Sequence, residues 1–311
     1  MSARLTVSVR FAVFAGLASI TGGCALVAGL SADYAAAESS DGGPGGGDGA
    51  GSAASGDGGC GPIVIADDTF ATGLTSGWIP GGSTATNAGG ATPAVELVPP
   101  NEFAYGTLYH APLNSFTGAF SVSFRFRVDV PGTFTGDGFA FAWLDGNGDV
   151  TTASDGQGLG MIERRRGWAF VLDTYQNPDN GDPEAPYYGI VKIDSARGKP
   201  GTYDWHVQST RPLGASVFGV THTARVTMAS GVVSAVVDDA PIFLSVAVET
   251  FTGFGPGGPG PGPGGPGGPG AGAIEGNFGF SAATGGTPPL TAYVDNVRVT
   301  VPNPACPGEF P

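Results

Sequence analysis

Residues Phe120-Ser121-Val122-Ser123-Phe124-Arg125-Phe126-Arg127-Val128 alternate apolar and polar side chains without a break. A period of two places one set of side chains on each face of an extended chain, so this segment can segregate its apolar set only as a strand. The pattern returns in Ala224-Arg225-Val226-Thr227-Met228 and in Tyr293-Val294-Asp295-Asn296-Val297-Arg298-Val299. Gly231 falls between two β-rich runs, where a hairpin would turn. No window of a dozen residues carries a helical stripe. Many short strands with Gly/Pro turns and no helices predict an all-β fold, either a sandwich of two sheets or a barrel.

The chain has 56 glycines and 26 prolines, and the excess over ordinary usage is concentrated in two tracts, so it marks linkers more than a globally disordered chain. Residues 38–59 are Gly, Ser, Ala and Asp with almost nothing to bury, which predicts a flexible tether. The second tract, at about 253–272, contains Gly255-Pro256-Gly257-Gly258-Pro259-Gly260. Pro261 breaks the glycine-every-third rule of collagen, and the tract reads as a surface insertion between two strands. From Pro62 to about Pro302, this insertion included, the chain is long enough for one large all-β domain.

Arg4 and Arg10 precede an apolar stretch from Phe11 to Ile20 that is short for a membrane span and suits an export signal. Thr21-Gly22-Gly23-Cys24 resembles a bacterial lipoprotein cleavage box, without its usual leucine three positions before the cysteine. This predicts a signal peptide over 1–23, an acylated Cys24, a tether over 24–59 and a domain over 60–306. Cleavage after Ala35-Ala36-Ala37 is the alternative. The expected location is the outer membrane or cell surface, or else the secreted or periplasmic space. Cys60 and Cys306 then remain, one before the first strand and one after the last, in a compartment where disulfides persist. They would close the domain if the terminal strands are neighbours; two unpaired thiols are the alternative.

Formal charge is −14 with only two lysines, Lys192 and Lys199, which argues against nucleic-acid binding. The cluster Arg164-Arg165-Arg166 is too short to change that and reads as a solvated hairpin tip. Contact with a membrane is expected only through a lipid at Cys24.

The richest chemistry lies after the apolar run Trp168-Ala169-Phe170-Val171-Leu172. Asp173, the Tyr175 carbonyl, Asn177 and Asp182 fall within ten positions of a turn-rich segment, and Ca²⁺ takes several hard oxygen ligands at once. Asp, Asn, Gly and Pro are also ordinary turn formers, so spacing alone leaves a solvated acidic turn equally open. His110, His206 and His222 lack ligand spacing and read as surface or packing residues. The four tryptophans read as core, Trp143 being the one placed to reach a ligand. Asp145-Gly146-Asn147-Gly148-Asp149 lacks the closing glutamate of an EF-hand and reads as a turn.

In order along the chain, five segments resemble the legume (L-type) lectin family. They are Gly106–Leu113 with Gly118–Phe126, Gly136–Phe141, Gly156–Gly160, Leu172–Ile190 and Gly279–Gly285. The resemblance covers most of residues 66–300, and the fourth segment is the most specific. It implies a concanavalin-type jelly-roll sandwich of two antiparallel sheets that binds glycans in a calcium-dependent way. Position by position, Asp173, the Tyr175 backbone oxygen, Asn177 and Asp182 would hold calcium. Asp137 would accept from two sugar hydroxyls, and Asn177 would also donate to the sugar. Gly156 and Gln157 would present backbone N–H groups, the Tyr175 ring would stack on a pyranose, and Gly285, Gly286 and Thr287 would line the variable rim. The family has a cis peptide at the junction equivalent to Gly136–Asp137.

Two positions depart from the family. Its transition metal uses a glutamate and a histidine where this chain has Val171 and Tyr187, so that site is expected to be lost and calcium to remain alone. Gln157 stands where glycine is common, and its side chain would crowd that position. Homo-oligomers are frequent in the family and are a possible partner state here. Glycoside hydrolases of the same sandwich need two carboxylates about the scissile bond, often as Glu-x-Asp. None of the eight glutamates here is followed two places later by aspartate, so no enzyme is expected. A structural or adhesion module without sugar affinity is the other alternative.

Overall fold

The computed structural model describes residues 60–86, 93–111, 113–116, 119–131, 136–145, 149–153, 155–162, 165–177, 182–193, 203–208, 213–248, 274–286, 289–303, 305 and 306. The chain divides into Met1–Gly56 and Asp57–Pro311, and every described residue belongs to the second unit. The expected signal peptide, Cys24, the tether and the Gly/Pro insertion lie outside the described residues.

The first strands are β1 (Ile63–Asp68), β2 (Trp78–Gly82), β3 (Ala85–Thr86), β4 (Val95–Val98), β5 (Tyr105–His110), β6 (Leu113–Phe116), β7 (Phe120–Asp129) and β8 (Gly138–Asp145). They are followed by β9 (Gly167–Asp173), β10 (Tyr187–Ile193), β11 (Tyr203–Gln208), β12 (Thr221–Ala229), β13 (Val232–Val237), β14 (Ala240–Ala247), β15 (Ile274–Ala283) and β16 (Thr291–Val301). They form two eight-stranded antiparallel sheets. The back sheet runs β14-β13-β12-β7-β16-β4-β3 with β1 also on β16, and the front sheet runs β11-β10-β9-β8-β15-β5-β2 with β6 also on β15. Among the described residues no helix is long and apolar enough to cross a membrane.

Alternation in β7 decides how the layers meet. Phe120, Val122, Phe124, Phe126 and Val128 are buried, while Ser121, Ser123, Arg125, Arg127 and Asp129 take the outer face. Phe126 stacks on Phe139 of the front sheet at 5.2 Å, and Phe124 meets Phe280 edge-on at 5.0 Å. Each buried ring contributes up to about 2–3 kcal/mol, so this aromatic layer is the main adhesive between the sheets.

The front sheet is buried on both faces, unlike the back sheet. Phe139, Phe141 and Trp143 point at the back sheet, and Ala140, Ala142 and Leu144 point away. Val150, Ala153, Leu159, Met161 and Ile162, from the segments after β8, cover that second face and make a smaller core. This explains the unbroken apolar run of β9, which is buried at every position. It also corrects two expectations. Trp143 packs against Phe120 at 5.4 Å inside the main core, because an inward strand position points it there, away from any ligand. Arg165 is 8% exposed and donates to the Asn277 side-chain oxygen at 3.0 Å, so the centre of the arginine cluster is a buried bridge to β15 and not a solvated tip. His222 is a packing residue, held between the Asp238 carboxylate at 2.6 Å and the Val217 carbonyl at 3.0 Å.

The terminal strands are neighbours: Ile63 of β1 sits opposite Val301 of β16. Cys60 and Cys306 are joined as a disulfide, with Cα atoms 5.3 Å apart.

Candidate functional site

Four adjacent strands of the front sheet end in register. Ala283 of β15 is opposite Gly138 of β8, Gly138 is opposite Asp173 of β9, and Asp173 is opposite Tyr187 of β10. Segments far apart in sequence therefore converge at one end of the sheet.

The turn entering β8 is built for a tight approach. Gly136 and Gly138 have φ of +139° and +140°, and a side chain at 138 would strike the Leu172 carbonyl oxygen. Between them, Asp137 donates its N–H to the Ala283 carbonyl at 3.3 Å and accepts at its own carbonyl from the Thr174 N–H at 3.0 Å. The Thr174 hydroxyl donates to the Gly136 carbonyl at 2.6 Å and closes this clamp. The cis peptide bond among the described residues is Ala185–Pro186, so the cis junction expected at Gly136–Asp137 is absent. Two flanking glycines in backbone regions closed to other residues turn the chain without it.

Asp137 is 5% exposed, and its Oδ2 has no hydrogen-bond partner. Burial pushes its carboxyl up to about 7; the Gly285 N–H works against that shift and the Asp155 charge adds to it. Gly285 abuts the carboxylate so closely that a Cβ there would lie 2.8 Å from Oδ2. An enclosed carboxylate oxygen without a donor is costly to keep, which makes it a candidate acceptor for a ligand's hydroxyl.

Asp173, 1% exposed, ends β9 on the same face as Val171. Its Oδ1 accepts from the Tyr175 N–H at 3.0 Å and its Oδ2 from the Tyr187 hydroxyl at 3.0 Å. Burial raises its carboxyl well above the ordinary range, with the Tyr175 N–H opposing, and the Asp182 and Asp137 charges add to the rise. Asp182 is also buried; its Oδ2 accepts from the Asn177 N–H at 2.8 Å and its carbonyl from the Gln176 side chain at 3.2 Å. Asn177 is half-buried and Tyr175 is 43% exposed.

Gly156 and Gln157 open a short 3₁₀ turn, Gly156–Gly158, with Gln157 exposed. Ser281 of β15 donates its hydroxyl to the Leu159 carbonyl at 2.9 Å, which fixes that turn beside the strand carrying Ala283. Gly286 is exposed at the rim, and Thr287 lies outside the described residues. The structure thus gathers Asp137, Asp173, Asp182 and Gly285 at one sheet end. Sequence reasoning overlooked Thr174, Thr284 and the Tyr187 hydroxyl, whose importance comes from long-range partners that no local pattern announces.

The oxygen chemistry suits calcium: carboxyl groups from Asp173 and Asp182, an amide from Asn177 and the Tyr175 carbonyl are hard donors. The Asp182 and Asp137 charges acting on Asp173 are negative, a repulsion that a divalent cation would offset. Among the described residues, no group of three or more His, Cys, Asp or Glu side chains is gathered as a metal cluster. The set fits only with the amide and the backbone carbonyl included. Val171 is packed in the smaller core and Tyr187 is bonded to Asp173, so neither position offers a transition-metal ligand.

No protein-family model matches the chain. Solved structures that resemble it include the following three. A lectin from Bauhinia forficata in complex with GalNAc is 18% identical with a TM-score of 0.57, over 77% of this chain and 98% of that one. The Emp47p carbohydrate recognition domain is 16% identical with a TM-score of 0.54, over 75% and 92%. The VIP36 exoplasmic/lumenal domain in its Ca²⁺/Man3GlcNAc-bound form is 17% identical with a TM-score of 0.50, over 75% and 85%. At these identities the likeness is one of fold. The chain has the jelly-roll sandwich of the legume and L-type lectins.

Proposed function

We propose that the domain is a calcium-dependent glycan-binding module of an exported protein, tethered through residues 24–59 and a lipid at Cys24. The observation that carries this reading is the Asp137 carboxyl, enclosed between a two-glycine turn and Gly285 with one oxygen lacking a donor. A sugar offers hydroxyl donors on a weakly apolar ring, so its receptor needs fixed acceptors and an aromatic platform. Asp137 is the fixed acceptor. The Asn177 amide and backbone N–H groups of Gly156 and Gln157 are the donors, and the exposed Tyr175 ring is the platform. Gly285 and Gly286 form the rim that sets preference, which the family resemblance extends to Thr287. Calcium would be held by Asp173, the Tyr175 carbonyl, Asn177 and Asp182; when bound it supplies charge that stiffens the segment carrying Tyr175 and Asn177. Two structural neighbours were solved with GalNAc and with Man3GlcNAc and calcium, which supports a glycan as the ligand class.

A glycan array read with calcium and with EGTA tests the proposal. Binding is expected with calcium only, and Asp137→Ala is expected to abolish it while leaving the melting temperature in calcium close to that of the parent or above it. Glycan binding that persists in Asp137→Ala refutes the site assignment.

A further inference from the structure

Among the described residues two aromatic side chains are exposed, Tyr175 at 43% and Phe103 at 65%, and both border the end of the front sheet that carries Asp137. Tyr175 belongs to the proposed site, whereas Phe103 belongs to no part of it. The loop between β4 and β5 holds Phe103 at φ +51°, a left-handed conformation that a bulky aromatic rarely adopts. A residue so exposed contributes little to the core, so folding gives no reason to place it there.

The strain is held by a dense local clamp. The Phe103 N–H donates to the Gly285 carbonyl at 2.9 Å, and the Thr284 N–H donates to the Ala104 carbonyl at 2.8 Å. The Thr284 hydroxyl, fully buried, accepts from the Ala104 N–H at 3.1 Å and donates to the Asn101 carbonyl at 2.5 Å. Phe103 is therefore one backbone hydrogen bond from the glycine that abuts the Asp137 carboxylate. Backbone strain of this kind persists where surroundings enforce it and clusters at ligand clamps.

We propose that Phe103 is a specificity-determining residue, an aromatic wall that stacks on the apolar face of the sugar next to the one held by Asp137. The site would then favour oligosaccharides over the free terminal monosaccharide. This rests on the glycan-binding reading and extends it by one subsite. A monosaccharide would be satisfied at Asp137, Asn177 and Tyr175, while a further ring projecting toward the β4–β5 loop would meet an exposed aromatic side chain whose loop backbone is fixed by Thr284.

The test is isothermal titration in calcium with mannose, N-acetylgalactosamine and oligosaccharides ending in each. Phe103→Gly removes the ring and suits the left-handed backbone, so the fold should be retained with an equal or higher melting temperature. It is expected to weaken oligosaccharide binding roughly three- to tenfold, leaving monosaccharide binding within about twofold. Phe103→Tyr should restore the difference. Equal oligosaccharide affinity in Phe103→Gly and the parent, with Asp137→Ala inactive, overturns the Phe103 subsite and leaves the glycan reading standing. If the parent binds no saccharide, or Asp137→Ala binds as the parent does, both fall together.

Discussion

The Asp137 carboxyl, pushed up to about 7 by burial, sets a cost on keeping an acceptor ready inside the protein. An unfolded aspartate releases its proton near pH 4, whereas the folded one keeps it to about 7. The folded state thus binds more protons across that interval, and its stability falls as pH rises from about 4 to about 7, staying low above it. At about 1.4 kcal/mol per pKa unit the loss approaches 4 kcal/mol, an upper figure for a single buried group. Asp137→Asn keeps the shape and removes the titration. In EGTA it is expected to melt above the parent at pH 8 and with it at pH 4. Thermal melts across that range check this, and a parent that matches or exceeds Asp137→Asn at pH 8 contradicts it. The same substitution removes one carboxylate acceptor, so glycan binding should drop even as stability rises.

The segment from Asp173 to Tyr187 is where local sequence and long-range structure part company. Its hard-oxygen residues are close in sequence, so they could be read from spacing, and β7, β9, β12 and β16 were legible from alternation or from an apolar run. Asp137 and Gly285 joined them only through the family resemblance, because the pairing of β15, β8 and β9 that brings them together leaves no local mark. Phe103 was illegible for the same reason: Glu102-Phe103-Ala104 has no pattern, and its clamp comes from Thr284 on the far side of the sequence. Tyr187 was read only as the loss of a histidine, yet its buried hydroxyl is a donor to Asp173. Tyr187→Phe should leave a buried carboxylate oxygen short of that donor and cost about 1–3 kcal/mol of stability, measurable by urea unfolding. Calcium is expected to raise the melting temperature of both parent and Tyr187→Phe. Asp173→Ala should abolish that rise, and a flat calcium response in the parent would contradict the calcium assignment.

At the scale of the whole domain, the disulfide and the proposed site lie toward opposite ends of one strand. β16 starts at Thr291, a few residues past Gly286, and ends at Val301 beside the disulfide. Its 11 residues span about 30 Å, so the cross-link stands well clear of Asp137. The bridge joins residues 246 apart, and in the chain-entropy account a loop that long stabilises by about 5 kcal/mol. β1 is also held by its pairing with β16, by the Asp67–Arg298 ion pair at 2.9 Å and by Ile65 and Ala66 packing on the core, so the bridge and the sheet edge support each other. Replacing both cysteines by serine is expected to lower the melting temperature by about 10 °C or more, given about 2–4 °C per kcal/mol for a domain of this size. Sites this far apart with no shared partners contribute additively, so the increment from calcium and the affinity for a glycan should survive in the double variant. Loss of glycan affinity at a temperature where that variant is still folded would mean that the two ends are coupled through β16. In that event the front-sheet site would depend on the closure of the back sheet as well as on its own loops.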